Sequence, residues 1–230
     1  MNALNGKVAV IGGASSGIGA AIVGQLLAEG WQVLGLSRSA PPFAHEAFRH
    51  LAVDVSDRQA LVDALSSVPT PQAIIHAAGM MAAAPLGELD ALRGETLWRL
   101  HVDAAQTLAN RFAPVMSRGG RIILLGSRTS RGAAGRSQYT ATKAALVALA
   151  RSWAAELAAA GITVNVVAPG ATDTPMLRQP GRESSPPKAP PFGRLIKPQE
   201  VVSLVSWLLS EEAAAMTGQE LVMCGGASLS

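Results

Sequence analysis

The chain has 230 residues, 49% hydrophobic and 15% charged, which suits one large domain with a sizeable core and excludes a disordered chain or a solvated coiled coil. Its net charge of +3 is spread over dispersed Lys and Arg, with only nine aromatics, whereas a nucleic-acid surface calls for a clustered basic stripe. No stretch approaches the ~20 apolar residues that span a bilayer, the N-terminus lacks a signal pattern, and the one cysteine, Cys224, cannot form an internal disulfide. The expectation is a cytoplasmic protein with a small-molecule partner, no nucleic acid, no membrane and no metal.

In chain order, residues 7–11 read as a buried strand. A glycine-rich turn follows, Gly12-Gly13-Ala14-Ser15-Ser16-Gly17-Ile18-Gly19, and then a helix over 18–29 stopped by Gly30. Strand, glycine turn and helix together bring backbone N–H groups and a helix N-terminus to a pyrophosphate. Residues Gly13, Ser15, Ser16, Gly17, Ile18 and Gly19 are the candidate cradle.

A second strand covers 32–36. The position after it, where an NAD site carries an acid for the ribose 2′-OH, reads Ser37-Arg38. A hydroxyl and a guanidinium there favour a 2′-phosphate, and hence NADP(H) over NAD(H). A third strand at 51–53 ends on Asp54, a candidate for the adenine edge or a cap for the next helix, predicted over 59–65. A fourth strand covers 73–76.

A long helical segment spans about 89–116, followed by a strand at 121–125 that closes on Gly126-Ser127. An Ala-rich helix over about 138–160 carries the only tyrosine, Tyr139, and Lys143 one turn later. Residues i and i+4 share a helix face, so phenol and ammonium project together, and an adjacent cation favours phenolate. The pair is a candidate acid–base device at an alcohol or carbonyl oxygen. A strand at 163–167, a helix at 199–209 and a strand at 220–223 complete an α/β pattern with a parallel sheet covered on both faces. Between Pro175 and Pro198 the chain holds half its prolines and five basic residues (Arg178, Arg182, Lys188, Arg194, Lys197), and we expect a substrate lid over 175–198.

Taken together these residues resemble the classical short-chain dehydrogenase/reductase family over essentially the whole chain. The family's glycine turn is matched by Gly13, Gly17 and Gly19, and its Asp-Val by Asp54-Val55. Its Asn-Asn-Ala-Gly appears, altered, as His76-Ala77-Ala78-Gly79. Tyr139-x3-Lys143 matches the catalytic pair and Pro169-Gly170 the loop after the sixth strand, with Thr172 and Thr174 beyond it. The C-terminal Thr217-Gly218-Gln219 and Gly225-Gly226 also match.

The resemblance implies a doubly wound Rossmann-type fold, with a mostly seven-stranded parallel sheet in a single domain over 1–230. It implies a homodimer or homotetramer paired through the long helices. It also implies an NADP(H)-dependent oxidoreductase, a carbonyl reductase, with Tyr139 moving the proton, Lys143 lowering the phenol pKa and Ser127 holding the substrate oxygen. Ser127 lies twelve residues before Tyr139 where thirteen is common, which leaves Ser130 as the other candidate. Asp103 stands where we place the helical asparagine that completes the catalytic set, as a proton-relay residue or a structural carboxylate.

Gly12 replaces the usual threonine. His76 reads as structural, His101 as surface or interface, Cys224 as a small core residue, and Met80 and Met81 as cleft or core. The second reading is a catalytically weak NADP-binding sensor or partner-binding protein on the same fold.

Overall fold

The structure, a computed structural model, describes residues 6–178 and 188–229. Seven strands form one parallel sheet in the order β3-β2-β1-β4-β5-β6-β7. They are β1 (Val8–Gly12), β2 (Gln32–Ser37), β3 (Phe48–Ala52), β4 (Ala73–His76), β5 (Arg121–Leu125), β6 (Thr163–Pro169) and β7 (Glu220–Met223). Six α-helices connect them: α1 (Gly17–Ala28), α2 (Arg58–Leu65), α3 (Ala91–Trp98), α4 (Ala104–Phe112), α5 (Ser137–Leu157) and α6 (Pro198–Leu209).

Both sheet faces are covered because the strands are apolar at consecutive positions, and successive side chains point to opposite faces. Val10, Ile74, Ile122 and Val166 pack with Leu61, Leu108, Phe112 and Leu146 of α2, α4 and α5. Their neighbours Ile11, Ile75, Ile123 and Val167 pack with Ile22, Leu26, Val201 and Val205 of α1 and α6.

Most predicted elements recur within a residue or two. Gly30 and Gly161 adopt φ of 80° and 71° at helix stops, where a Cβ is disfavoured. Two readings change. β3 begins at Phe48 rather than 51, because Arg49 and His50 mask a strand whose backbone pairs with β2 from Val33↔Phe48 to Ser37↔Ala52. The long helical segment is interrupted by a π turn at Arg99–Asp103, a local widening that sequence periodicity does not announce and that recurs at functional sites.

Strand order reverses at β1, which lies between β2 and β4. Connections diverge to the two sides there, so the carboxyl ends of β1 and β4 open a crevice where ligands bind in such sheets. Of the expected lid, Pro175–Arg178 forms one 3-10 turn and residues 188–197 are described, whereas 179–187 lie outside the described residues. The returning segment is tied down by Asp173 N–H to Ile196 O (2.9 Å) and Ile196 N–H to Ala171 O (2.9 Å).

Candidate functional site

The crevice is a cleft of about 930 Å³ along the carboxyl ends of the strands. Its first wall is the glycine turn. Gly13 N–H donates to Leu36 O at 2.8 Å and Ala77 N–H to Gly12 O at 2.8 Å, which holds the turn between the ends of β2 and β4. Gly13 has φ 85°, and a Cβ there would come within 2.5 Å of the Ala78 backbone nitrogen; a Cβ on Gly19 would come within 1.9 Å of Gly13 O. These glycines are therefore required by close backbone approach. Ser16 caps α1 without a side-chain hydrogen bond, and Ser15, Ser16, Gly17, Ile18 and Gly19 all line the cleft. First-turn amides have no intrahelical acceptor, so this end suits a phosphate.

At the far end lie Ser37, Arg38, Asp54 and Val55. The Ser37 hydroxyl donates to Ser39 O at 2.8 Å and sits 3.1 Å from His50 Nε2. Asp54 accepts from the Ser56 N–H (3.0 Å) and hydroxyl (2.7 Å). Burial pushes its pKa up, but the Ser56 hydrogen bonds and the nearby Arg38 charge outweigh that and hold it below the usual value. The cap of α2 is Asp57, whose Oδ1 accepts from Ala60 N–H at 3.0 Å, so Asp54 keeps its place on the cleft.

The opposite end is built on α5. Tyr139 and Lys143 are both buried and both line the cleft with Ala77, Ala78 and Gly79. Lys143 Nζ donates to Leu125 O at 2.8 Å and lies 5.9 Å from the Tyr139 ring centroid. Burial alone drives the Lys143 pKa down to about 7. Such a lysine changes charge near neutrality and responds to any anion placed beside it.

Ser127, at the end of β5, is buried on the cleft wall, where its Oγ accepts from Thr129 N–H at 3.2 Å. The alternative, Ser130, donates to Glu220 on β7 and does not line the cleft. Pro169, Gly170, Thr172 and Thr174 form the remaining wall, with Thr174 within 3.5 Å of where a Gly17 Cβ would stand.

Asp103 does not join this assembly. It pairs with Arg58 at 3.1 Å in a separate surface hollow shared with α2, because residues two apart on a helix face different directions and His101 takes the inward one. His101, expected at the surface, is fully buried. The Thr142 hydroxyl donates to Tyr139 O (2.8 Å), so His101 Nδ1–H donates to Thr142 Oγ1 (2.8 Å) while Nε2 accepts from Met80 N–H (3.1 Å).

The His101 ring meets Tyr139 edge-on at 5.7 Å. Burial, the Lys143 charge and His76 lower its pKa well below the ordinary histidine value, so the imidazole is neutral. A signal for it was present in the sequence: Leu97, His101, Ala105, Leu108 and Phe112 recur at helical spacing and are all buried, with Asp103 off that stripe.

His76 is structural, with Nε2 3.1 Å from Leu100 O; burial, then the Lys143 charge, lowers its pKa to about 4. Its Nδ1 lies 3.1 Å from where a Gly12 Cβ would stand, so the small residue at 12 leaves room for the ring. Met80 and Met81 line the cleft and pack beside Tyr139. Cys224 is only partly buried, against Gly170, rather than a core residue.

Comparison with known proteins agrees with this geometry. A family profile described as enoyl-(acyl carrier protein) reductase matches residues 13–228. The chain is 32% identical over 238 residues to the 3-oxoacyl-[acyl-carrier-protein] reductase of Vibrio harveyi, covering 97% of this chain and 98% of that one. It belongs to the short-chain dehydrogenase/reductase family. A cyclic-di-GMP-binding biofilm dispersal mediator protein of Escherichia coli is 31% identical, with 95% of each chain covered. Among solved structures, Thermoplasma acidophilum aldohexose dehydrogenase superposes with a TM-score of 0.89 at 27% identity, covering 99% of this chain and 96% of that one.

Oxidoreduction with a nicotinamide cofactor is the general chemistry of short-chain dehydrogenases/reductases, and the residues present fit such a cofactor. The glycine turn admits no Cβ at Gly13, the α1 amides face the cleft, and no acid other than Asp54 lines it among the described residues. No helix among the described residues is long and apolar enough to cross a membrane.

Proposed function

We propose that the protein is an NADP(H)-dependent carbonyl reductase that interconverts a ketone or aldehyde and the corresponding alcohol. The observation that carries this reading is the convergence of Ser127, Tyr139 and Lys143 at one end of a cleft whose other end carries Ser37 and Arg38. The glycine turn and the α1 N-terminus would hold the cofactor's pyrophosphate, Ser37 and Arg38 its 2′-phosphate, Asp54 and Val55 the adenine side. Ala77, Ala78, Gly79, Pro169, Gly170, Thr172 and Thr174 would enclose the rest. When bound, the cofactor supplies or accepts the hydride.

The chain's own groups handle the oxygen. The Ser127 hydroxyl donates a hydrogen bond to the substrate oxygen, stabilising the charge that develops there. Tyr139 delivers its proton to that oxygen in reduction and takes it back in oxidation. Lys143 keeps one N–H on Leu125 O, which fixes the ammonium below the phenol and leaves its other donors for the cleft. His101, through Thr142 and the Tyr139 carbonyl, ties the helix turn that carries the phenol to the Gly79–Met80 wall. We further infer a single domain, a cytoplasmic location and a homodimer or homotetramer.

The test is a carbonyl and alcohol panel followed by NADPH absorbance. Tyr139→Phe should lower kcat by about 10²- to 10⁴-fold while NADPH affinity stays nearly unchanged. NADPH should bind at least roughly tenfold more tightly than NADH, a preference lost in Arg38→Ala. Tight NADPH binding with no turnover of any substrate would favour the sensor reading instead.

A further inference from the structure

The segment after β5 carries a second buried hydroxyl that the proton chemistry above does not use. Thr129 lies two residues beyond Ser127, and both are buried and line the cleft. Their hydroxyl oxygens are 2.9 Å apart, and the Thr129 N–H donates to Ser127 Oγ at 3.2 Å. A bond from residue i to i+2 of this kind closes a local turn that fixes the serine hydroxyl against the backbone. Among the described residues neither hydroxyl has a further hydrogen-bond partner.

The turn that holds the pair is tied on both flanks. The Ser130 hydroxyl donates to Glu220 on β7, and an Arg128 N–H donates to Ala227 O at 3.3 Å. Within the turn, Ser130 N–H donates to Ser127 O and Gly132 N–H to Thr129 O, both at 2.9 Å. On the strand side Gly126 N–H donates to Val167 O at 2.8 Å, and Leu125 O receives Lys143 Nζ at the same distance. Backbone anchored in this way sets where the two hydroxyls stand relative to each other and to the lysine.

A hydroxyl has one proton to give and two lone pairs to receive with. A Ser127 proton that goes to the substrate oxygen is not available to Thr129, so the 2.9 Å contact then requires the Thr129 hydroxyl to be the donor. Ser127 Oγ accepts twice, from the Thr129 N–H and O–H, and keeps only its proton to offer. Resting on the reductase reading above, we propose that Thr129 is a positioning residue that makes Ser127 an obligate hydrogen-bond donor to the substrate oxygen. A donor whose own oxygen accepts is polarised further, and the gain is largest when charge develops on the substrate oxygen. The same arrangement bars Ser127 from accepting the alcohol proton in the reverse reaction, which directs that proton to Tyr139.

The experiment measures NADPH-dependent reduction of ethyl acetoacetate, cyclohexanone and benzaldehyde, with rates expressed per NADPH site so that any unfolded fraction drops out. Thr129→Val keeps the N–H and removes the hydroxyl. It should lower kcat by about 5- to 10-fold with KM within about twofold, because the lost bond counts most in the charged transition state. Thr129→Ala, a second variant without the hydroxyl, should lose as much, and Thr129→Ser should stay within about twofold of wild type. Ser127→Ala should lose about 10²-fold or more. The deciding readout is the double variant: once Ser127 is alanine, adding Thr129→Val should change kcat by less than about twofold, since Thr129 acts only through Ser127.

Equal fold-losses for Thr129→Val in the wild-type and Ser127→Ala backgrounds would overturn the proposal. So would a Thr129→Val enzyme with wild-type kcat, or a loss in it as large as that of Ser127→Ala, which would make Thr129 the terminal donor. All three outcomes leave the reductase reading intact. No turnover of these carbonyls or of the wider carbonyl and alcohol panel, together with tight NADPH binding, would overturn both.

Discussion

Lys143→Met should make the protein without cofactor more stable, by an amount that depends on pH. Burial lowers the Lys143 pKa from 10.5 to about 7, so the folded state disfavours the ammonium. At about 1.36 kcal/mol per pKa unit this amounts to roughly 5 kcal/mol against folding at pH values below 7. Between pH 7 and 10.5 the unfolded chain binds more protons at this site than the folded one, so wild-type stability rises with pH across that window. At pH 9 about 2 kcal/mol of the penalty is left.

The methionine variant carries no such penalty but loses the hydrogen bond to Leu125 O, worth about 1 kcal/mol net. Urea unfolding without cofactor should therefore find the variant more stable by roughly 3–4 kcal/mol at pH 6 and by roughly 1 kcal/mol at pH 9. A difference that stays the same at both pH values, or a variant less stable at pH 6, would refute burial of a titrating ammonium. Under the proposed mechanism the same variant loses turnover, a stability gain at the expense of activity.

Two further outcomes test the frame of the site. Gly13→Ala places a Cβ 2.5 Å from Ala78 N at φ 85°, so urea unfolding should show a loss of about 2–4 kcal/mol together with loss of NADPH binding. Stability within about 0.5 kcal/mol of wild type would show that the turn is less tightly constrained than its geometry implies. Asp103→Asn removes only a partly exposed pair with Arg58, so kcat/KM should stay within about twofold and stability within about 1 kcal/mol. A tenfold or larger fall in kcat/KM would return Asp103 to the catalytic set.

Much of this protein is determined locally and is therefore legible in its sequence. Consecutive apolar residues such as Ile74 and Ile75 must face opposite sides of a sheet, which dictates helices on both faces. The glycine turn, Tyr139-x3-Lys143 and Gly126-Ser127 each bind their chemistry to a short stretch of backbone, and all of them reach one cleft. β3 was misplaced because an edge strand takes its order from backbone pairing with β2, which Arg49 and His50 do not reveal.

What only the tertiary structure decided depends on rotation and distance between segments far apart in the chain. The π turn at Arg99–Asp103 turns His101 toward Tyr139 and leaves Asp103 with Arg58, a choice of helix phase that one or two residues of register reverse. The sequence favours Ser127, which closes the strand before α5, but its spacing from Tyr139 leaves Ser130 as an alternative; in the structure Ser130 contacts Glu220 on β7 and stays off the cleft. Of the basic residues on the expected lid, folding brings Asp173 beside Arg178 and Glu200 beside Arg194, pairings that the sequence does not announce. Charge in a sequence is a sum, but charge at a site depends on which side chains the fold brings to it, and here Arg38, Arg128, Arg136, Lys143 and Lys188 line the cleft.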